Sequence, residues 1–109
     1  MALKNTTTIR THTDFHEYVD FTQNKQPLDV SAWQFKIKVL DAEGNEHLSV
    51  SGVQDLTLTS RVWFNSLQAT LADLPDSELT WYLLALDPDG FISLVNSGEV
   101  KTEGGALWD

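Results

Sequence analysis

No cysteine occurs in the sequence, which excludes disulfide bonds, thiolate metal sites and a cysteine nucleophile together. Stability must therefore come from the packing of a hydrophobic core. Hydrophobic residues make up 41% of the 109 residues, which is enough for a folded protein rather than a disordered one. We expect a single domain over residues 1–109, with a core at about 9–102 and a flexible carboxy-terminal tail at 103–109.

The sequence also lacks a long apolar segment. No run approaches the roughly 18 residues that a membrane span requires. The amino terminus, MALKNTTTIR, has no apolar stretch of the kind found in a signal peptide. We therefore expect a soluble protein that is made in the cytoplasm and does not contact a membrane.

Basic residues are scarce. Seven Lys and Arg stand against 16 Asp and Glu, a formal net charge of −9, and Lys101 is the only base between Asp73 and Asp109. This charge repels phosphate backbones, so nucleic acid is not an expected partner. The excess of acids favours solubility and protects strand edges; a basic protein partner and mimicry of nucleic acid are the alternatives.

No residue pattern typical of an active site is present. The sequence has no glycine-rich phosphate loop and no serine in a nucleophile elbow. His12 and His16 would suit one metal ion if they lay on a helix, but on a strand they are roughly 13 Å apart. We therefore predict no catalytic residue, no metal, no cofactor and no enzymatic activity.

Alternation with a period of two dominates the sequence. In WQFKIKVL the apolar residues Trp33, Phe35, Ile37 and Val39 alternate with mostly polar ones, which predicts a strand. Short β-rich segments recur, including LTLT at 56–59, with turn signals every 8–12 residues. We predict an all-β sandwich of about seven short strands. The exception is SLQATLADL, where the leucine spacing predicts a short helical crossover between Ser66 and Pro75.

The tetrapeptide Asp87-Pro88-Asp89-Gly90 lies between two apolar segments. A calcium loop would need glycine at the sixth position and glutamate at the twelfth, and these positions hold Ile92 and Gly98. A turn needs only a proline that presets φ, aspartates around it and a glycine in the left-handed region. We interpret Asp87, Pro88, Asp89 and Gly90 as a structural turn.

Aromatic residues are the remaining candidates for contacts. Trp33 and Trp81 fall in strong strands and are expected in the core. In RVWFN either Trp63 or its neighbour must point outward if the segment is extended. Trp108 lies in the tail with Leu107. We predict Trp63, Leu107 and Trp108 as interface or ligand contacts, and exposed aromatics of this kind can also stack on carbohydrate.

Three stretches resemble a known family: VDFTQNKQPLDVSAWQFKIKV, the polar hairpin after it, and LTWYLLALDPDGFISLVNSGEV. The pattern is similar to the small immunoglobulin-like sandwich module of tailed-bacteriophage virion proteins, including the amino-terminal domain of baseplate upper proteins. The resemblance implies an immunoglobulin-like fold without catalytic residues. It further implies a tail or baseplate structural protein that contacts other virion proteins and is assembled in the host cytoplasm. A carbohydrate-binding sandwich is the alternative.

Both termini favour self-association. The threonine-rich NTTTIR segment at 5–10 contains neither an acid nor a proline that would block strand pairing. The EGGALWD segment carries Leu107 and Trp108 beyond two glycines, as a peg for another subunit. We predict a homo-oligomer whose contacts use one or both termini.

Overall fold

Ten β-strands and one short α-helix form the described part of the chain, residue 3 and residues 7–102, in a computed structural model. In chain order the elements are β1 (Ile9–Arg10), β2 (Phe15–Asp20), β3 (Thr22–Gln23), β4 (Gln26–Pro27), β5 (Gln34–Asp41), β6 (Glu46–Ser51), β7 (Val53–Gln54), β8 (Arg61–Ser66), α1 (Gln68–Leu71), β9 (Leu79–Leu86) and β10 (Ile92–Lys101). The predicted all-β sandwich with one short helix is therefore confirmed. The strand number exceeds the expected seven because β1, β3, β4 and β7 have only two residues each.

Two sheets form the layers of the sandwich. The larger has five strands in the order β1-β10-β9-β5-β6, and the smaller has three in the order β2-β8-β7. All pairs in these sheets are antiparallel except β1 with β10, which is parallel and joins Ile9 to Val100. Strands β3 and β4 form a separate two-stranded sheet. The five-stranded sheet therefore has β1 and β10 at one side and β6 at the other.

Alternating side chains of β9 and β5 supply the centre of the core. In β9, Leu79, Trp81, Leu83 and Ala85 are all buried, and the residues between them are half-buried. Alternation places one set of side chains between the sheets and the other on the outer face. The Trp81 indole Nε1 donates to the backbone oxygen of Thr7 at 2.9 Å, so this fully buried indole has the hydrogen-bond partner that it needs.

The helix α1 lies where the leucine spacing predicts a crossover, and it is only one turn long. Leu71 and Leu74 are buried, but Leu67 is 67% exposed. The reason is local: Leu67 is the residue before the helix and has an extended backbone, with φ −73° and ψ 149°. The backbone N–H of Gln68 donates to the carboxylate of Asp14 at 2.6 Å, which fixes where the helix begins.

The predicted strand at 56–59 is absent, and this part of the chain is a loop. The carboxylate of Asp55 accepts the backbone N–H groups of Thr57 and Leu58, at 2.9 and 3.0 Å. An aspartate that bonds to the backbone two and three residues ahead stabilises a turn in competition with a strand. The local side chain therefore overrides the β propensity of leucine and threonine.

Neither end of the chain is described in full. Of the predicted threonine-rich edge strand, Ile9 and Arg10 form β1, and residues 5 and 6 lie outside the described residues. The tail at 103–109, with Leu107 and Trp108, also lies outside them. Within the described residues, no helix has the length and apolar character needed to cross a membrane.

Candidate interaction surface

The outer face of the three-stranded sheet carries Trp63, the sequence-predicted contact residue. Strands β2 and β8 pair so that Tyr18 lies opposite Trp63 and His16 lies opposite Asn65. Val62 and Phe64 on either side of Trp63 are buried. Trp63 is therefore the aromatic residue of RVWFN that points outward, and it is half-buried by its neighbours on the face.

The polar and aromatic contacts of Trp63 are made within the chain. Its indole Nε1 donates to Oδ2 of Asp55 at 2.8 Å. Its ring stacks on His16 with centroids 4.6 Å apart and meets the edge of Tyr18 at 5.0 Å. The His16 ring nitrogen Nδ1 in turn forms a hydrogen bond with Oδ1 of Asn65. A sugar would need an uncovered ring face and a free donor, and here the donor and one face are already occupied.

Charges on the same face are also paired. Arg61 donates from Nε and Nη2 to the two carboxylate oxygens of Asp20, at 2.7 and 3.0 Å, in a bidentate arrangement. Its guanidinium carbon lies 4.1 Å from the centroid of the Tyr18 ring. The hydrogen bond to Asp20 raises the pKa of Arg61. The Trp63 face is thus a self-contained network.

A second surface begins at the tetrapeptide Asp87-Pro88-Asp89-Gly90, which forms a turn between β9 and β10. Gly90 has φ +92°, and its backbone N–H donates to the backbone oxygen of Asp87 at 3.1 Å. The Oδ1 atom of Asp87 accepts the N–H groups of Asp89 and Phe91, at 2.9 and 2.8 Å. These contacts order the hairpin. No group of three or more His, Cys, Asp or Glu that could hold a metal occurs in the described residues.

Strand β10 leaves this turn as a partly open edge. It pairs with β9 along most of its length, from Ile92 to Val100. On its other side β1 pairs only with Val100 and Lys101. Within residues 7–102, no strand pairs with residues 92–99 on that side. In the described part of the chain, no strand therefore takes up the outward backbone groups of residues 92–98.

Side chains at this edge are apolar and exposed. Phe91, Ile92 and Leu94 are 70%, 73% and 59% exposed. Ile92 lies opposite Leu86 and Leu94 opposite Leu84 in the pairing of β10 with β9. The four residues Leu84, Leu86, Ile92 and Leu94 form an apolar strip on the outer face of the five-stranded sheet. We call this strip, with the open backbone of residues 92–98, the β10 margin.

The strip is bounded by β5. A depression of about 170 Å³ beside it is lined by Gln34, Lys36, Lys38, Leu84, Ala85, Leu86 and Ile92. Lys38 forms an ion pair with Glu46 at 3.0 Å on the far side. The apolar strip is thus flanked by polar and basic side chains, as an interface core is flanked by its rim.

Two other long sheet edges in the described part of the chain, β6 and β2, carry the charges that oppose strand addition. Strand β6 begins with Glu46 and His47. Strand β2 contains Glu17 and Asp20, and the backbone N–H of Leu3 donates to Tyr18 on it at 2.7 Å. Residues 92–98 of the β10 margin contain neither a charge nor a proline. The β10 margin is therefore the least protected long edge in the described part of the chain.

Comparison with known proteins identifies no family. No protein-family description matches the sequence, and no curated protein matches it. Among solved structures, the chain is similar to CopC from Methylosinus trichosporium OB3b. The identity is 12%, the TM-score is 0.48, and the match covers 88% of this chain and 85% of that one.

The resemblance to a phage virion module is wrong. CopC, one of the solved structures that the chain is similar to, is not a phage baseplate protein, and no comparison indicates a virion function or a virion location. The strand and turn signals on which the resemblance depended recur in unrelated β-sandwiches, because they report the fold and not the function.

The structure distributes the sequence-predicted site residues unevenly. Trp63 lies on the three-stranded sheet, whereas the Asp87–Gly90 turn precedes β10 of the five-stranded sheet. The structure therefore does not bring these residues together. Leu107 and Trp108 lie outside the described residues. Ile92 and Leu94 were not predicted as surface contacts. The sequence feature that could have identified them is FISLVNS at 91–97, a run of seven residues without a charge in an acidic chain.

Proposed function

We propose that the protein is a non-catalytic β-sandwich module that associates with copies of itself through the β10 margin. The observation that supports this most strongly is a strand edge without charge or proline that no strand within residues 7–102 pairs with. It lies beside four apolar side chains, of which Ile92 and Leu94 are mainly exposed. Exposed apolar surface next to an open edge is characteristic of protein interfaces.

Burial of the apolar strip would favour such a contact. Ile92 and Leu94 are 73% and 59% exposed, so a partner that covers them removes apolar surface from water. Complete burial of a leucine or isoleucine side chain contributes about 1.5–3 kcal/mol.

A binding role without catalysis agrees with the hydrogen bonds of the aspartate side chains, which are made to the backbone of neighbouring loops. Asp41, Asp55 and Asp87 each accept backbone N–H groups of the loop that follows them. His47 donates from Nε2 to Oδ2 of Asp41 at 2.9 Å within the same hairpin. These groups hold loops in place, and we propose that none of them performs acid–base chemistry.

Sedimentation velocity tests the proposal. We expect the intact chain to sediment as an oligomer at micromolar concentrations and the Ile92→Lys/Leu94→Lys double variant to sediment as a monomer with an unchanged circular dichroism spectrum. The matched control is Val53→Lys/Leu56→Lys, which places two lysines at exposed apolar positions of the other sheet and its loop. An intact chain that is monomeric at several hundred micromolar, or a control that dissociates equally, would contradict the proposal.

A further inference from the structure

The outer face of the five-stranded sheet changes from polar to apolar between β5 and β9. In the pairing of these strands, Gln34 lies opposite Leu86 and Lys36 lies opposite Leu84. Ile92 of β10 lies opposite Leu86 from the other side. Because paired residues of neighbouring strands point to the same face of a sheet, a polar or basic side chain of β5 stands at the end of each apolar row. The depression of about 170 Å³ lies at this boundary.

We propose that this depression binds a small organic anion with an apolar body, such as a medium-chain carboxylate, and that Lys36 holds the negative charge. The inference does not rest on the proposed function. It assigns a small-molecule ligand to the face of the sheet, and it requires no partner at the open backbone edge of β10.

The charge of the depression is positive, although the chain as a whole is acidic. Two of its seven lining residues are lysines, and none of the seven is Asp or Glu. Lys38 forms an ion pair with Glu46 at 3.0 Å. Lys36 is exposed and pairs with no acid in the described part of the chain. The ammonium group of Lys36 is therefore the cation of this site that an anionic ligand can reach.

The apolar side of the depression is formed by Leu84, Leu86 and Ile92. Neighbouring strands lie ~4.8 Å apart, so a molecule that lies across the strands from β5 to β10 covers ~10 Å of this face. A straight carboxylate of the length of octanoate spans this distance, with its head group at Lys36 and its chain over β9 against Ile92. The charged group sets the orientation of the ligand and the apolar residues supply most of the contact, as is usual in small-molecule sites.

Other classes of small ligand match only one half of this arrangement. An inorganic anion pairs with Lys36 but leaves the apolar residues in water. An uncharged apolar molecule covers Leu84, Leu86 and Ile92 but leaves the ammonium group without a counter-ion. A cation with an apolar body meets two lysines and no acid. An anion with an apolar body matches both halves.

Titration with octanoate, followed in NMR spectra of the backbone amides, tests the site. The protein is kept at a concentration at which sedimentation velocity shows a monomer, so that self-association does not cover the same side chains. We expect saturable shifts of the amides of residues 34–38, 84–86 and 92. Acetate lacks the apolar body and octylammonium has the opposite charge, so neither should produce comparable shifts.

Substitution of Lys36 tests which group holds the charge. We expect Lys36→Gln to weaken octanoate binding about threefold, within the range of an exposed ion pair. Lys36→Glu should reverse the preference, so that octylammonium binds more tightly than octanoate. The matched control is Lys101→Gln, which removes an exposed lysine at the far end of β10 and should leave the affinity unchanged.

Three results would overturn the inference: no saturable shifts with octanoate, equal shifts with octylammonium, or an equal loss of affinity in Lys36→Gln and Lys101→Gln. Phosphatidylglycerol vesicles provide a further comparison. If they broaden the signals of the same amides while octanoate has no effect, the inference is also overturned, because the ligand is then a membrane surface. These outcomes do not depend on the oligomeric state, by which the proposed function is tested separately.

Discussion

Trp63 and Asp55 are joined by a hydrogen bond from the indole Nε1 to Oδ2 at 2.8 Å, and this bond connects a strand to the loop before it. The other carboxylate oxygen of Asp55 accepts the backbone N–H groups of Thr57 and Leu58. One side chain therefore fixes both the loop and the orientation of the ring. The hydrogen bond from Trp63, with those from the loop, holds the pKa of Asp55 far below its ordinary value.

Replacement of Asp55 should remove the hydrogen bond that orients the Trp63 ring. We expect Asp55→Ala to lower the melting temperature and to move the Trp63 indole N–H signal in NMR spectra upfield, because the acceptor is lost. Asp89→Ala is the matched control, since it removes an exposed carboxylate from a turn. Equal effects of the two substitutions on the indole signal would be incompatible with the contact described.

Acidification should weaken the hairpin between β5 and β6. The hydrogen bond to His47, with those from the loop backbone, lowers the pKa of Asp41 from 3.8 to about 2. Because the folded pKa is below the unfolded one, the ionised carboxylate stabilises the fold above about pH 4. This contribution is lost as the pH falls through about 2.

The cause of this shift can be checked by removing the histidine. In His47→Ala the pKa of Asp41 should rise towards its ordinary value, as measured by carbon-detected NMR titration of the carboxyl groups. The pKa of Asp29, which is lowered by its hydrogen bonds with Ser31, should be the same in both proteins. An Asp41 pKa that does not change would show that the loop backbone alone is responsible.

Gly98 should not tolerate a side chain. It lies opposite Trp81 in the pairing of β10 with β9, and an added Cβ would come within 3.0 Å of three atoms of the indole ring. We expect Gly98→Ala to reduce the free energy of unfolding by about 1–3 kcal/mol, the usual cost of overpacking. Ser97→Ala next to it should stay within about 0.5 kcal/mol of the natural chain in urea unfolding. Similar losses in both would exclude the close approach as the cause.

Gly90 should show a backbone effect rather than a steric one. Its φ is +92°, and nothing lies within 4 Å of an added Cβ. Gly90→Val should cost about 1–2 kcal/mol because a β-branched residue disfavours positive φ. Gly90→Asn should cost less, since asparagine adopts such angles more readily. If thermal unfolding ranks the two variants in the opposite order, the turn conformation is not the cause.

Much of the fold could be predicted from the alternation of apolar and polar residues in the sequence. The period of two in WQFKIKVL gives β5, with Phe35, Ile37 and Val39 buried as expected. The Leu-spaced segment gives the one helix, α1. These predictions succeed because the spacing of apolar residues within a short element is enough to show which of its side chains are buried.

Features that depend on distant contacts could not be predicted in this way. The parallel pairing of β1 with β10 joins Ile9 to Val100, and no local pattern indicates it. Ile92 and Leu94 look like core residues because an apolar residue in a strand is compatible with either face of a sheet. Their exposure follows from the register of β10 with β9, which places them opposite Leu86 and Leu84 on the outer face of the sheet, away from the second sheet.

The contact role of Trp63 shows the same limit. The sequence predicts correctly that one of two neighbouring aromatics points outward, and Phe64 is the one that is buried. The sequence could not show that His16 and Tyr18 contact the Trp63 ring or that Asp55 accepts its N–H. These residues come from another strand and from a loop. A role for Trp63 in binding therefore stays a prediction.

Backbone amide hydrogen exchange at two protein concentrations tests the role of the β10 margin most directly. We expect amides of residues 92–98 to exchange more slowly at several hundred micromolar than at a few micromolar, because they gain partners in a second copy. Amides of β6, the edge at the other side of the same sheet, serve as the internal control and should exchange at the same rate. Exchange in residues 92–98 that is independent of concentration, or slowed only in β6, would contradict the proposed self-association.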